Sequence, residues 1–324
     1  MPSIQSRLLN GFFRIFVRRR INAQANIPDL RKFVARIDAR LAKPWPGQVL
    51  RSTDIGGVPC DYLELPGNRP DRVLLYLHGG GFVFHAPKLY HSFLGRLCNV
   101  TRTNAWLPDY RLAPEHPFPA APDDCLAAYR GLLDKGIAAE NIVIMGDSAG
   151  GNLTLVTLQQ ARKAGLPMPA CAVTLSAASE GGTPSSTAIA NARRDPMFTI
   201  EAMMLFRKTY LRDGDPLDTR ASPYYGSFEG FPPLLMFAGS TEMLLDDTVS
   251  VARRAAYQGA RVQAQVWHSM IHVFPLFHQL PESDLALATI AGFINQALDN
   301  PADIRMHGEI LQGIVTMNTF PLPG

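Results

Sequence analysis

The chain has 324 residues, 47% of them hydrophobic and 18% charged, which is enough for one large α/β domain or two smaller ones. Its 31 Lys and Arg residues nearly balance 28 Asp and Glu, and the net charge of +3 gives no reason to expect a nucleic-acid partner. The four cysteines form no CxxC or Cys/His pattern, so we expect free thiols, a cytoplasmic location and no metal site. No apolar run is long enough to predict a membrane-spanning helix.

The N-terminal segment 7–20, RLLNGFFRIFVRRR, combines aromatic residues with arginines. Arg14 interrupts the apolar run that a secretory signal requires, so we do not expect one. Apolar side chains recur there with a spacing of three and four, which predicts an apolar stripe on a helix. The residues of this stripe are Leu9, Phe12, Phe13 and Phe16. We expect the stripe to cover the protein's own core or active site, and contact with a membrane surface is the alternative.

Further along, short apolar runs alternate with helical patterns. Strands are predicted at 72–77, 103–107, 141–145, 171–176, 233–238 and 261–267. Helices are predicted at 121–133, 151–164, 246–258 and 283–298. Strands separated by helices predict an α/β fold in which a mostly parallel central sheet carries helices on both faces.

Two segments do not fit this alternation, and we expect them to form a helical cap over the carboxyl ends of the strands. One is the helical N-terminus, and the other is much longer than an ordinary loop and contains a predicted helix at 199–211. The tail has no assigned role, although its part 304–317 has the pattern of a helix. The predicted organisation is a cap segment at 1–47, a core in two parts at 48–179 and 222–299, an inserted cap segment at 180–221, and a tail at 300–324.

The sequence GDSAGG at 146–151 lies between an apolar strand and a helix, so Ser148 falls on the turn that joins them. Gly146 and Gly150 allow a tight turn that leaves the serine hydroxyl exposed, as in a nucleophile elbow. A glycine-rich helix start is the alternative. A serine used in this way needs a base to take its proton and an acid to orient that base.

On this kind of turn the three residues follow the chain order Ser, Asp or Glu, then His. The stretch STEMLLDD after the strand at 233–238 offers Glu242, Asp246 and Asp247. The two aspartates fall where a helix begins, a favourable place for negative charge, so Glu242 is the predicted acid. The stretch HSMIHVF then offers His272 as the base, with His268 as the alternative, because His268 directly follows the last strand.

The stretch LHGGGFVF at 77–84 places three glycines directly after an apolar strand. Backbone N–H groups without side chains around them can stabilise the negative oxygen that forms when a serine attacks a carbonyl group. We therefore expect these glycines, together with the N–H group of Ala149, to form an oxyanion hole. A phosphate-binding loop is the alternative, but the required glycine spacing and lysine are absent.

Five motifs together make the chain resemble the bacterial hormone-sensitive-lipase family of α/β-hydrolases over about residues 50–298. They are HGGGF at 78–82, DYRLAPEHPFPA at 109–120, GDSAGG at 146–151, SPYYG at 222–226 and MIHVF at 270–274. The resemblance implies an α/β-hydrolase fold and carboxylesterase activity on short to medium acyl esters. It implies these roles: Ser148 as nucleophile, His272 as base, and Gly80, Gly81 and Ala149 as oxyanion-hole donors. The family more often has Asp where this chain has Glu242, so Asp246 stays as the alternative acid.

The resemblance also implies no cofactor and no metal ion, and a small-molecule ester as substrate. It leaves the oligomeric state open, although homodimers are common among similar proteins. It makes His78, Arg111 and Glu115 structural residues of the loops. Apolar side chains of both cap segments are expected to form the acyl pocket: Phe12, Phe13, Phe16, Met203, Met204 and Phe206. Three other functions stay open, namely an amidase or formamidase with the same triad, a non-catalytic ligand-binding protein, and a lipase acting at a membrane surface.

Overall fold

A computed structural model describes residues 2–22, 24–41, 43–182 and 184–300, together with the backbone of three short tail segments. The tail segments are 310–311, 314–315 and 318–320. Among all these residues, no helix combines the length and the apolar character needed to cross a membrane.

A mixed sheet of nine strands forms the centre of the fold. The described strands are β1 (Val49–Ile55), β2 (Val58–Glu64), β3 (Val73–Leu77), β4 (Asn104–Pro108), β5 (Ile142–Asp147), β6 (Cys171–Leu175), β7 (Leu234–Gly239), β8 (Val262–Trp267), β9 (Ile310–Leu311), β10 (Ile314–Val315) and β11 (Asn318–Phe320). The order in the sheet is β1-β2-β4-β3-β5-β6-β7-β8-β11. Pairing is antiparallel from β1 to β4 and parallel from β4 onward, so the predicted α/β class and mostly parallel sheet are confirmed.

Helices cover both faces of the sheet, because its central strands are apolar on both sides. The described helices are α1 (Ile4–Phe12), α2 (Ile27–Leu41), α3 (Pro87–Thr101), α4 (Ala120–Asp134), α5 (Ala149–Lys163), α6 (Ser186–Asn191), α7 (Ile200–Leu211), α8 (Leu245–Tyr257) and α9 (Pro281–Asp299). Along β3, Leu74 and Tyr76 belong to the core on one face, with α2, α3 and α9. Leu75 and Leu77 belong to the core on the other face, with α4, α5 and α8.

The N-terminal segment is helical, as predicted, and is attached to the core at several points. The hydroxyl of Ser3 accepts a hydrogen bond from the N–H group of Ser6 at 3.1 Å and thereby caps α1. The same hydroxyl donates to Glu282 of α9 at 2.9 Å. One π-helical turn, Phe13–Val17, extends α1, and the ring of Phe13 packs against Phe277 with centroids 5.2 Å apart. These contacts fix the helix on the body of the protein.

The six predicted strands and five predicted helices are present with ends shifted by at most two residues, but other elements differ from the prediction. The hairpin β1–β2 and helix α3 were not predicted. In the tail, the described part of 304–317 forms the antiparallel pair β9–β10, so the helical prediction is wrong there. Its β-branched residues Ile310, Ile314 and Val315 favour strands over helix.

Candidate active site

Ser148 occupies a strained turn at the carboxyl end of the sheet. It joins β5 directly to α5 with φ +52° and ψ −117°, values that residues with a side chain rarely adopt. The N–H group of Ser148 donates to the carbonyl oxygen of Leu175 at 2.8 Å, which holds the turn against the end of β6. The side chain is partly exposed, as a nucleophile elbow requires.

The turn is tight because the helix after Ser148 packs directly on the neighbouring strand. Gly146 pairs with Leu77, so the ends of β5 and β3 lie side by side. A Cβ atom on Gly150 would lie 1.8 Å from the carbonyl oxygen of Leu77. Only a residue without a side chain permits this approach of α5 to β3.

Gly150→Ala is therefore expected to destabilise the fold by roughly 2–3 kcal/mol, because backbone atoms cannot move aside for the added methyl group. The matched control is Gly292→Ala, at an exposed position within α9 where an added Cβ atom meets nothing within 4 Å. That variant should be neutral or gain up to about 1 kcal/mol of helix stability. Urea unfolding of the two variants measures the difference, and equal free energies of unfolding would contradict this account of the turn.

Asp147 holds the glycine loop against the turn at Ser148. Its buried carboxylate accepts hydrogen bonds from the N–H group of Gly79 and the hydroxyl of Tyr76, both at 2.9 Å. Burial raises the pKa of Asp147 to about 6, although these hydrogen bonds favour the charged form. On the other side of the loop, Tyr110 donates to the carbonyl oxygen of His78 at 2.7 Å. The loop is thus fixed from two sides before any substrate binds.

Gly80 and Gly81 present their backbone to the same cavity as Ser148 and Ala149. Gly80 has φ +118°, and a Cβ atom there would lie 2.0 Å from the carbonyl oxygen of Phe84, so glycine is required. Within the described residues, the N–H groups of Gly80, Gly81 and Ala149 have no hydrogen-bond acceptor. These are the groups predicted as oxyanion-hole donors.

Glu242 and His272 form a buried hydrogen-bonded pair. β7 and β8 end side by side at Gly239 and Trp267, and the loops that follow carry the two residues. Nδ1 of His272 lies 2.6 Å from Oε2 of Glu242, and both side chains are almost fully buried. The carboxylate orients the imidazole and favours the tautomer with its hydrogen on Nδ1.

The protonation of His272 is set by two opposing influences. Burial lowers the pKa of His272, but the hydrogen bond and charge of Glu242 outweigh it, so the pKa lies above its usual value. Nε2 of His272 is buried and has no hydrogen-bond partner among the described residues. His272 lines the cavity that also contains Ser148. An unpaired ring nitrogen beside a serine hydroxyl can accept its proton.

Two residues that the sequence analysis did not identify hold this pair. Ser176, at the end of β6, donates to Oε1 of Glu242 at 2.9 Å and accepts from the N–H group of Val273 at 3.0 Å. It therefore connects Glu242 to the loop that carries His272. The carboxylate of Asp195 accepts from the N–H group of Met243 at 3.0 Å, directly after Glu242.

Asp195 also connects the turn at Glu242 to the inserted segment at 180–221. Its other oxygen accepts from the N–H groups of Met197 and Phe198 at 2.8 and 3.0 Å. The ring of Phe198 then stands edge-on to the ring of His272, with centroids 5.1 Å apart. An Asp-Pro sequence at 195–196 is a turn signal that could have drawn attention to this position.

The alternative residues lie elsewhere. His268 is exposed and does not line the cavity. Asp246 accepts hydrogen bonds from the N–H group of Thr187 at 3.0 Å and the hydroxyl of Ser186 at 3.2 Å, and it lines no part of the cavity. Asp247 does line it, but its carboxylate accepts from the N–H groups at 179 and 180, and burial raises its pKa to about 7.

The cavity has a volume of about 480 Å³ and a mostly apolar lining, a size that suits a small molecule. Both segments expected to form the cap contribute to its lining. The predicted acyl-pocket residues found there are Phe12, Phe13, Met203, Met204 and Phe206. Phe16 is not among the lining residues, and its side chain is 55% exposed. In the π-helical turn, Phe13 and Val17 lie on the buried face, and Phe16 lies on the exposed face.

The three loop residues expected to be structural make the following contacts. Arg111 pairs with Asp124 of α4 at 2.7 Å and Glu115 pairs with Arg31 of α2 at 2.8 Å, so both ion pairs hold the loop after β4 against a helix. His78 is fully buried, and its ring stacks on that of His85 with centroids 3.9 Å apart.

Potential ligand atoms of His78, His85 and Asp109 lie within 4.8 Å of one another. Imidazole binds a metal ion in the plane of its ring, at about 2.0–2.1 Å for zinc. Because the two rings are nearly parallel and stacked, their lone pairs do not converge on one point. This group does not have the geometry of a metal centre.

Comparisons with known proteins agree with the α/β-hydrolase fold of the chain. A sequence profile of the α/β-hydrolase fold matches residues 74–276. An acetyl-hydrolase of Streptomyces hygroscopicus is 33% identical over 253 residues, which are 78% of this chain and 83% of that protein. The crystal structure of EstE5 soaked with ethyl alcohol has a TM-score of 0.87 and 33% identity, covering 91% of this chain and 99% of that one. The crystal structure of an esterase from the bacterial hormone-sensitive lipase family has a TM-score of 0.86 and 33% identity, covering 92% and 99%.

Proposed function

This chain belongs to the bacterial hormone-sensitive-lipase family of α/β-hydrolases, and we propose that it is a serine carboxylesterase acting on short to medium acyl esters. In this proposal Ser148 is the nucleophile, His272 the base and Glu242 the acid that orients it. Gly80, Gly81 and Ala149 supply the oxyanion hole. The two helical segments that line the cavity act as its cap.

One observation carries the proposal. The imidazole of His272 is held by Glu242 on one side, at 2.6 Å, and its other nitrogen has no partner among the described residues. His272 and Ser148 line the same cavity. A buried polar atom without a partner is costly. The unpaired nitrogen of His272 is explained if it takes the proton of the serine hydroxyl and later returns it.

The first half of the reaction forms an acyl-enzyme. Ser148 Oγ attacks the ester carbonyl carbon while Nε2 of His272 takes the hydroxyl proton. The carbonyl oxygen becomes negative and receives hydrogen bonds from the N–H groups of the glycine loop and Ala149. When the tetrahedral intermediate collapses, the bond to the alcohol oxygen breaks and His272 returns the proton to that oxygen.

The second half repeats these steps with water. His272 removes a proton from a water molecule, and the resulting hydroxide attacks the acyl carbon on Ser148. The negative oxygen occupies the same hole. The bond to Ser148 Oγ then breaks, the serine regains its proton from His272, and the carboxylic acid leaves.

The apolar cavity supports an uncharged acyl chain as the group that binds there. Phe206 of α7 lies opposite the glycine loop, since a Cβ atom on Gly81 would be 3.0 Å from its ring. Met203 of the same helix also lines the cavity. Phe12 and Phe13 approach from the N-terminal segment. A lining of this kind favours hydrocarbon over sugars or peptides, which would leave polar groups unpaired.

A series of p-nitrophenyl esters from acetate to palmitate tests the proposal. We expect the highest kcat/KM for short and medium chains and a steep fall towards palmitate, because the capped cavity limits the chain length. The same assay with p-nitroanilides of the same acyl groups separates an esterase from an amidase. Hydrolysis of the anilides alone would replace the esterase by an amidase, and hydrolysis of neither series would contradict the proposed catalytic function.

A further inference from the structure

The helix α1 and the π-helical turn after it are apolar on two faces. The inner face, with Leu9, Phe13 and Val17, belongs to the core and the cavity. Large apolar side chains on the outer face are largely exposed, and we call them the outer stripe. Its members are Ile4 (72% exposed), Leu8 (70%), Ile15 (50%) and Phe16 (55%). A surface helix ordinarily has one apolar face and a polar one opposite, so a second apolar face indicates a partner.

The surroundings of the outer stripe are positively charged. The first acidic residue of the chain is Asp29, whereas five arginines precede it, at positions 7, 14, 18, 19 and 20. The guanidinium group of Arg14 donates to the carbonyl oxygen of Arg194 at 3.0 Å, which adds the exposed Arg193 and Arg194 to the same region. An apolar stripe beside arginines has the composition of a helix that lies in the headgroup region of a membrane.

We propose that the outer stripe is a docking surface for an anionic lipid layer, with the apolar side chains inserted among the acyl chains and the arginines on the lipid phosphates. A second copy of this chain fits the surface less well. In a twofold symmetric dimer the same patch meets itself, so arginines would face arginines. Residues 2–22 include no carboxylate side chain to neutralise them, and such like-charge contacts are unfavourable.

Docking in this way would bring the cavity to the lipid. The helix that carries the outer stripe also lines the cavity with Leu9 and Phe12. Met204 lines the cavity as well and is 56% exposed, so it lies at the rim. An ester dissolved in the lipid layer would then reach Ser148 without crossing water. This consequence rests on the proposed function, whereas the lipid binding itself does not.

Flotation with lipid vesicles tests the docking surface directly, without any enzymatic readout. We expect the full-length protein to bind vesicles of phosphatidylcholine mixed with phosphatidylglycerol, to bind pure phosphatidylcholine much less, and to dissociate as salt screens the charges. Ile4→Ser, Leu8→Ser and Ile15→Ser combined should weaken binding at least roughly 30-fold, since binding depends on the buried apolar area. Phe16 is left in place because its ring contacts Phe12, with centroids 5.2 Å apart.

A matched control replaces three exposed apolar residues elsewhere on the surface and should leave vesicle binding unchanged. These substitutions are Leu217→Ser, Tyr257→Ser and Leu285→Ser. The circular dichroism spectrum and the urea unfolding midpoint should be the same in both triple variants, which shows that each is folded.

The charge contribution is measured separately. Arg7→Gln with Arg19→Gln should weaken binding to the anionic vesicles roughly 30-fold, from about fivefold for each arginine. Arg130→Gln with Arg253→Gln, two exposed arginines on α4 and α8, is the control and should have no effect.

Two results would overturn the proposal. The first is that the wild type fails to bind anionic vesicles, or that the triple variant of the outer stripe binds them as tightly as the wild type does. The second is that light scattering finds a dimer in the wild type and a monomer in that variant, which would assign the surface to a second copy of the chain.

Discussion

Ser148→Ala is expected to reduce kcat for ester hydrolysis by on the order of 10⁵-fold or more, because it removes the hydroxyl that forms the acyl-enzyme in the proposed mechanism. The residual rate would come from the oxyanion hole and from substrate binding. The measurement is the initial rate on p-nitrophenyl butyrate, with enzyme concentration raised for the variant. Alanine removes only the hydroxyl group, so the turn between β5 and α5 should keep its conformation and the free energy of unfolding should change little.

A covalent probe separates loss of the nucleophile from general damage. A sulfonyl fluoride should add its sulfonyl group to the wild type, as mass spectrometry of the intact protein would detect, and should leave Ser148→Ala unmodified. Substrate binding should persist in the variant, because the apolar lining of the cavity is unchanged. A variant that is folded and still forms the adduct would show that another residue is the nucleophile.

The strands and helices of the core could be predicted because their patterns are local. The fully buried β3 is an uninterrupted apolar run, β5 begins with four apolar residues, and α8 has apolar residues at helical spacing. The missed elements also had local signals. β1 and β2 are separated by Gly56 and Gly57 alone, a two-residue hairpin turn. In α3 the buried residues Tyr90, Phe93, Leu94, Leu97 and Cys98 recur at intervals of three and four.

The order of the strands could not be read from the sequence. β4 lies between β2 and β3 in the sheet, although it follows both of them in the chain. The chain therefore leaves a gap between β2 and β3, and β4 fills this gap after helix α3. No residue of the strands encodes that order, because pairing of distant strands is decided by packing of the whole domain. The same holds for the tail strand β11, which adds to the edge of the sheet beside β8.

The candidate site was predictable where a motif fixes a residue at a strand end. Ser148, Glu242 and His272 each follow a predicted strand, and parallel strands bring their carboxyl ends to one edge. The supporting residues Ser176 and Asp195 were missed, because their roles depend on hydrogen bonds to chain segments that are distant in sequence. Phe16 was misplaced because helical spacing alone does not account for a π-helical turn, which rotates each residue by less than an α-helix does.

Glu242→Gln is expected to reduce kcat roughly 10³- to 10⁴-fold, by analogy with loss of the acid in other triads. The amide keeps the size of the side chain but loses the charge that stabilises the imidazolium of His272. Asp246→Asn is the matched control, since it removes a charge from the neighbouring turn without touching His272. It should retain most of the activity, because the carboxylate of Asp246 bonds to Thr187 and not to the pair. The reverse ranking would make Asp246 the acid.

The pH profile gives a second readout that a merely structural role of Glu242 would not change. His272 acts as a base only when neutral, so kcat/KM rises with pH through its pKa, and that pKa is above its usual value in the wild type. Glutamine removes the hydrogen bond to a carboxylate and the charge that raise it, whereas burial, which lowers it, remains. The residual activity of Glu242→Gln should therefore rise at a lower pH than that of the wild type. An unchanged or higher midpoint would mean that the charge of Glu242 does not act on the base.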